Sequence, residues 1–217
     1  MSAPIKIDIW SDIACPFCYL GTRKFAAGAE ASGVEVEVEY HSFELSPDTP
    51  EDVTGAHAEK IAEKMGVSLA EARAMEERIT ETARGEGLDF DYQRMQPANT
   101  FKAHQLLHHA KAHGRQAEMK ERLLRAYFTE GRHVGRVSEL ADLAADIGLD
   151  RDDAQQALAD ERYLDDVRAD IRQAGELGIR GVPFFVIDGR YAVSGAQDAT
   201  VFAQALTQVR AELDAAS

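Results

Sequence analysis

The chain has 217 residues, 45% hydrophobic and 29% charged, too apolar for a disordered polymer and too polar for a membrane protein. Its 24 Lys and Arg against 38 Asp and Glu leave a formal charge of −14, which repels phosphate backbones and anionic lipid alike. Neither nucleic acid nor a membrane is an expected partner, and one interrupted domain is as consistent with the length as two.

Met1 to Trp10 carries one Lys and an apolar run broken by Asp8, so it lacks the unbroken stretch of a secretory signal. No segment approaches the ~20 apolar residues of a membrane-spanning helix. The expected address is cytoplasmic, a reducing compartment in which paired cysteines serve catalysis or metal binding more often than they staple a fold. The two cysteines of the chain, Cys15 and Cys18, fall three apart.

In chain order, Pro4 to Trp10 alternates Ile5, Ile7 and Ile9 with Lys6 and Asp8, the period of a short strand. Pro16 to about Ala31 reads as a helix opened by proline and stopped at Gly33. Val34, Val36, Val38 and Tyr40 alternate with Glu35, Glu37, Glu39 and His41, a second strand. From about Ser46 to Gly178 helix formers dominate, and caps and glycines divide the stretch into five or six helices. Their signals are the capping box Ser68 to Glu71, a run from Asn99-Thr100 through Lys111, Arg115 to Glu130 ending at Gly131, a start at Ser138, and Arg162 to Leu177 ending at Gly178. After Pro183, Phe184 to Ile187 and Tyr191 to Val193 read as a hairpin with a two-residue turn at Asp188-Gly189. Ala199 to Leu213 is a last helix, its core stripe Val201, Phe202, Ala205, Leu206, Val209 and Leu213. The fold class is thus α/β, with β-α-β and β-β-α halves separated by an all-helical insertion. The halves must meet, because neither half-sheet is stable alone. Residues 1–46 and 179–217 form the discontinuous domain, and 47–178 the insertion, whose last helix returns to that domain.

Cys15-Pro16-Phe17-Cys18 joins a strand to the first turn of a helix, where unpaired N–H groups favour an anion on the first sulfur. Cys15 is the expected thiolate nucleophile, and Cys18, one turn on, the thiol that resolves a mixed disulfide. Pro16 gives up an N–H that would be unpaired anyway and stiffens the turn. A lone C-x-x-C is also half of a zinc site or a pair of inert buried thiols. Zinc needs two more ligands, for which His104, His108, His109 and His113 are the one cluster on offer. On an amphipathic helix those histidines read instead as surface or packing residues, and no metal is expected. His133 and the acidic surface read as solvated faces.

The cysteine motif, a helical insertion and Gly181-Val-Pro-Phe-Phe-Val-Ile-Asp-Gly189 together resemble the DsbA family of thioredoxin-fold proteins. Within it the chain is similar to the cytoplasmic FrnE-like branch, through Asp12 to Gly21, Asn99-Thr100 with Ala103-His104, Tyr127 to Gly131, and Tyr191 to Gln197. These motifs span nearly the full chain. The resemblance implies a thioredoxin-like fold and a thiol-disulfide oxidoreductase or isomerase acting on disulfide- or thiol-containing proteins or small molecules. It needs no cofactor, with glutathione as a candidate co-substrate. It further implies that Pro183 is the family's cis-proline, that Val182 offers its backbone to an extended substrate, and that Asn99, Thr100 and His104 face the active site. On residue chemistry alone, the last three are a helix cap and a polar helix residue. Phe17 stands where the best-known oxidant of the family has a histidine, so the Cys15 thiolate lacks an adjacent cation, and a potential below that protein's roughly −120 mV is expected. Two other functions fit the pattern. Kappa-class transferases and 2-hydroxychromene-2-carboxylate isomerases share this fold but typically carry serine at the first motif position. A peptide- or small-molecule-binding protein with incidental thiols is the third reading. The sequence is silent on oligomeric state.

Overall fold

The alternation of three isoleucines with polar residues forms β1 (Ile5–Ser11), and Ile5, Ile7 and Ile9 share its buried face. In this computed structural model, which describes residues 3–216, Pro16 opens α1 (Pro16–Ser32). Gly33 closes it in the left-handed region at φ 63°, its N–H on Glu30 O. β2 (Val36–Ser42) starts two residues later than the valine pattern suggests.

The middle of the chain holds α2 (His57–Met65), α3 (Leu69–Gly85), α4 (Phe101–Ala112), α5 (Gln116–Arg125), α6 (Val137–Asp146), α7 (Arg151–Ala159) and α8 (Leu164–Glu176). These are seven α-helices among the described residues, where five or six were expected. Two starts escaped notice for physical reasons. Ala56 heads α2 with no capping side chain of its own, and the Asp150 carboxylate, which caps α7 by accepting from Asp153 N at 2.8 Å, lies in a run of acidic residues that masks it. The segment expected to end at Gly131 does so, but its last turn, Ala126–Glu130, is wound as a π-turn.

β3 (Phe184–Ile187) and β4 (Tyr191–Ser194) form the expected hairpin. Its connection has three residues, not two, because Ile187 pairs with Tyr191. Asp188 and Gly189 both take positive φ, 54° and 64°, and Arg190 N closes the turn on Ile187 O. In α9 (Ala199–Ala215) the expected stripe holds at Phe202, Leu206 and Val209, all buried, but Val201 is exposed, since it lies about 100° round the first turn from Phe202.

The sheet has the order β2-β1-β3-β4, with β1 parallel to β2 and antiparallel to β3. This is the thioredoxin-like arrangement, interrupted by helices. The chain divides into two compact units: one runs to Phe43 and resumes at Arg168, and the other is Glu44–Val167. In the first, one face of the sheet packs Ile5, Ile7, Ile9, Phe185 and Ile187 against Phe25 of α1 and Phe202, Leu206 and Val209 of α9. Gly28 lets the two helices touch, since a Cβ there would lie 2.6 Å from Ala199 O. The other face packs Trp10, Phe43, Val182, Phe184 and Val186 with Ala174 and Ile179.

Candidate active site

The β1–β3 register positions the site. Trp10 pairs with Phe184, so the chain leaving β1 runs beside the chain entering β3, and Cys15 meets Val182. Cys15 occupies the N-cap of α1 in extended conformation, with Pro16 in the first turn, and the N–H groups of Cys18 and Tyr19 close on its carbonyl at 3.1 and 3.4 Å. Both sulfurs are thiols, 2% and 0% exposed, whereas Phe17 between them is 49% exposed. Phe17 thus offers an apolar side chain to solvent between two buried cysteines.

The Cys15 thiol is held below the ordinary thiol range. A hydrogen bond from the Cys18 side chain is the largest cause, joined by the backbone N–H groups of Cys18 and Phe17, and these outweigh burial and the negative charge of Asp12. The sequence expectation of a thiolate at the helix mouth agrees in direction. Cys18 has a different environment, for its Sγ accepts the Asp12 N–H at 3.4 Å. Asp12 itself is buried. Its influence on Cys15 was not drawn from the sequence, since a carboxylate three residues upstream of a cysteine is an ordinary loop residue until the loop folds back.

Cys15 Sγ donates weakly to Val182 O at 3.7 Å. The Val182–Pro183 peptide is cis, as the resemblance implies, and Pro183 O accepts the Gly195 N–H at 2.8 Å. Gly21, on the turn of α1 after Cys18, packs under the proline, where a Cβ would stand 2.8 Å from Pro183 Cγ. Cys15, Pro16, Phe17, Cys18, Val182 and Pro183 therefore come together in the unit that carries the sheet.

Asn99, Thr100 and His104 lie in the helical unit, at the start of α4. Asn99 Oδ1 accepts from Phe101 N at 2.8 Å and its Nδ2 donates to Pro47 O at 3.1 Å, so its side chain starts the helix and ties down a loop. Thr100 and His104 are buried, and His104 N donates to Thr100 O at 3.0 Å. His108 and His109 are buried as well, so three of the four clustered histidines pack inside. His133, expected on a solvated face, is buried too, and its ring is satisfied there, Nδ1 accepting the Gly135 N–H at 3.1 Å and Nε2 lying 3.3 Å from Asp52.

A buried polar cluster that the sequence did not announce supports the other face of the sheet. His41 Nδ1 meets Asp170 Oδ1 at 2.9 Å and Nε2 meets Asp8 Oδ1 at 2.8 Å. Two carboxylate acceptors call for two ring N–H groups, hence an imidazolium. Burial pushes the ring's pKa down, but the bonds to Asp170 and Asp8 push it up by more, and the net shift is upward. Trp10 stacks on this ring at 4.4 Å and donates from Nε1 to Asp170 O at 3.3 Å. Asp8, Glu39 and His41 have ligand atoms within 4.8 Å of one another. Lys6 already bridges Asp8 and Glu39 at 3.2 and 3.4 Å, so the group is an ion-pair network.

A dithiol at the head of the first helix of a thioredoxin-like sheet, facing a cis-proline, is the arrangement of a thioredoxin-fold redox or isomerase enzyme. Residues 6–207 match the DSBA-like thioredoxin domain family, and the chain belongs to it. A probable DsbA oxidoreductase from Streptomyces coelicolor is 41% identical, with a TM-score of 0.89 over 96% of this chain and 91% of that one. YwbO of Bacillus subtilis (strain 168) is 28% identical over 205 residues, 94% of this chain and 96% of that one. The cytosolic disulfide reductase DsbM from Pseudomonas aeruginosa, solved with GSH, shares the fold at 21% identity and TM-score 0.66, over 94% of this chain and 99% of that one.

Proposed function

We propose that the protein is a cytoplasmic thiol-disulfide oxidoreductase whose Cys15–Cys18 dithiol exchanges electrons with protein or small-molecule disulfides, with glutathione as its redox partner. One observation carries this reading: Cys15 sits at a helix N-terminus with its acidity raised by Cys18, against Val182 O. The Cys15 thiolate attacks one sulfur of a substrate disulfide and expels the other as a thiolate, leaving a mixed disulfide. Cys18, losing its proton, attacks Cys15 Sγ and expels the second substrate thiolate. The substrate gains two electrons and two protons, and the protein becomes the Cys15–Cys18 disulfide. Two glutathione thiols reverse these steps on the protein and leave as glutathione disulfide. That glutathione serves here, and that the compartment is cytoplasmic, draws support from the GSH and the cytosolic description carried by DsbM.

In this reading Val182 and Pro183 receive the extended substrate beside Cys15, and Phe17 offers it an apolar contact. Asn99, Thr100 and His104 are assigned to substrate binding on the resemblance alone, since the bonds of Asn99 described above already give it a capping role. The test is trapping. A Cys18→Ser protein mixed with glutathione disulfide is expected to accumulate an adduct at Cys15 of one glutathione per chain, whereas Cys15→Ser accumulates none. Equal adduct on both variants, or on neither, would overturn the proposal and favour a glutathione-dependent isomerase, whose glutathione brings its own thiol.

A further inference from the structure

In the helical unit, His109 and His113 lie four apart on α4 and so share one face of the helix. Asp153, in the first turn of α7, presents its carboxylate to both. Its Oδ2 is 3.8 Å from His109 Nε2 and 3.9 Å from His113 Nε2, and the two imidazole rings lie 4.5 Å apart. The three ligand atoms fall within 4.8 Å of one another. The carboxylate oxygen thus stands beyond hydrogen-bond length from both Nε2 atoms, so these candidate ligand atoms converge without bonding each other.

We propose that His109, His113 and Asp153 form a binding site for a divalent transition-metal ion of the zinc class, separate from the cysteine pair. Three further features point to a ligand. His109 is 1% exposed and its Nδ1 has no hydrogen-bond partner, while its Nε2 stands 3.8 Å from Asp153 Oδ2. His113 Nδ1 lies 2.9 Å from His109 O. That acceptor takes the proton on Nδ1 and so assigns Nε2, 3.9 Å from Asp153 Oδ2, as the nitrogen of a neutral ring that would ligate, the second-shell orientation typical of ligating histidines. Asp153 is held in turn through its other oxygen, Oδ1, by Arg162 at 3.1 Å, so Oδ2 stays turned to the imidazoles.

The donor set of two imidazoles and one carboxylate suits zinc, cobalt or nickel and not calcium or magnesium, which take oxygen ligands. A tetrahedral ion with bonds of about 2.1 Å holds its ligand atoms about 3.4 Å apart. The two Asp153–imidazole separations must therefore close by about half an ångström and the two imidazole nitrogens, within 4.8 Å of each other, by at most about 1.4 Å, and His113 and Asp153, with side chains 45% and 39% exposed, have room to move. A fourth position would remain for water. Bound metal would join α4 to α7 within the helical unit.

The experiment uses the untagged full-length chain carrying Cys15→Ser and Cys18→Ser, so that the dithiol does not compete for metal. Cobalt(II) absorption and zinc competition against a chromophoric chelator are read on this protein, then with His113→Ala or Asp153→Asn added. The partial exposure of both residues keeps the fold intact, which circular dichroism checks. One metal per chain, weakened at least tenfold by either added substitution, is the expected result. No metal bound by the cysteine-free chain, or binding that neither substitution weakens, would overturn the proposal. Because the cysteines are absent from the test protein, its outcome is independent of the redox reading.

Discussion

Gly21 and Gly28 lie on the same helix and both make close approaches, but only one of them lies under the redox site. A Cβ at Gly21 would stand 2.8 Å from Pro183 Cγ and 3.4 Å from Phe185 Cζ, and one at Gly28 would stand 2.6 Å from Ala199 O and 2.7 Å from Phe202 Cβ. Overpacking of this kind costs about 1–3 kcal/mol, and replacing a mid-helix glycine by alanine returns about 1 kcal/mol of propensity. The proline ring can shift by a few tenths of an ångström, whereas a backbone carbonyl inside a helix cannot. Gly21→Ala is therefore expected to cost about 1 kcal/mol net and Gly28→Ala about 2 kcal/mol. At roughly 2–4 °C per kcal/mol for a chain of this size, the losses in Tm are about 3 °C and 6 °C. Activity should fall in the opposite order, because Gly21→Ala pushes on the segment that carries Val182 O, 3.7 Å from Cys15 Sγ, and Gly28→Ala pushes on α9. The assay is thermal melting alongside the rate of glutathione disulfide reduction per folded molecule at 25 °C. If Gly28→Ala slows exchange as much as Gly21→Ala, or if Gly21→Ala leaves exchange unchanged, the argument linking α1 to Pro183 and the cysteine is refuted.

Other outcomes follow from the charges around the thiols and the sheet. Asp12→Asn removes a negative charge that opposes the Cys15 thiolate, so the pH midpoint of thiolate absorbance at 240 nm should fall. Phe17→His adds a cation at the same helix mouth and should lower that midpoint and raise the reduction potential, with Phe17→Leu as a neutral control. His41→Asn leaves a buried carboxylate without its partner and should cost about 3 kcal/mol, measured by urea unfolding. The folded pKa of His41 lies above its unfolded value, so its stabilisation is complete below about pH 6.5 and is lost as pH rises through the folded pKa. The stability gap between wild type and His41→Asn should accordingly be wide at pH 6 and narrow at pH 9, and a gap that widens with pH would contradict the imidazolium assignment.

The parts of this molecule that were legible in its sequence are those set by local periodicity and by local chemistry. The isoleucine and valine alternations, the proline and glycine that bracket α1, and the hairpin residues each act within a few positions, and each led to its element. Cys15 and Cys18 stood out because two cysteines three apart at a helix start have few structural uses, whereas the cis bond at Pro183 was implied by the resemblance and not by the residues around it. What the sequence hid depends on distant pairing. Asp8, His41 and Asp170 span 162 positions and meet only once β1, β2 and α8 are assembled. His133 can be buried because the Gly135 N–H and Asp52, the latter more than 80 positions away, meet its ring nitrogens. Among the four clustered histidines, the spacing on α4 selects several pairs, and only the arrival of α7 with Asp153 distinguishes His109 with His113 from the rest.

The central claim, that Cys15 and Cys18 form a working redox couple, is tested most directly by equilibrating the protein in glutathione buffers of graded ratio and following Trp10, with alkylation and mass measurement to count thiols. The account predicts a single two-electron transition, 29.6 mV per tenfold change in the equilibrium ratio, with a midpoint more negative than about −120 mV and no transition in Cys15→Ser. A midpoint near −180 mV would mark an isomerase and one near −270 mV a reductase. Two thiols that stay reduced across the whole range would contradict the claim outright.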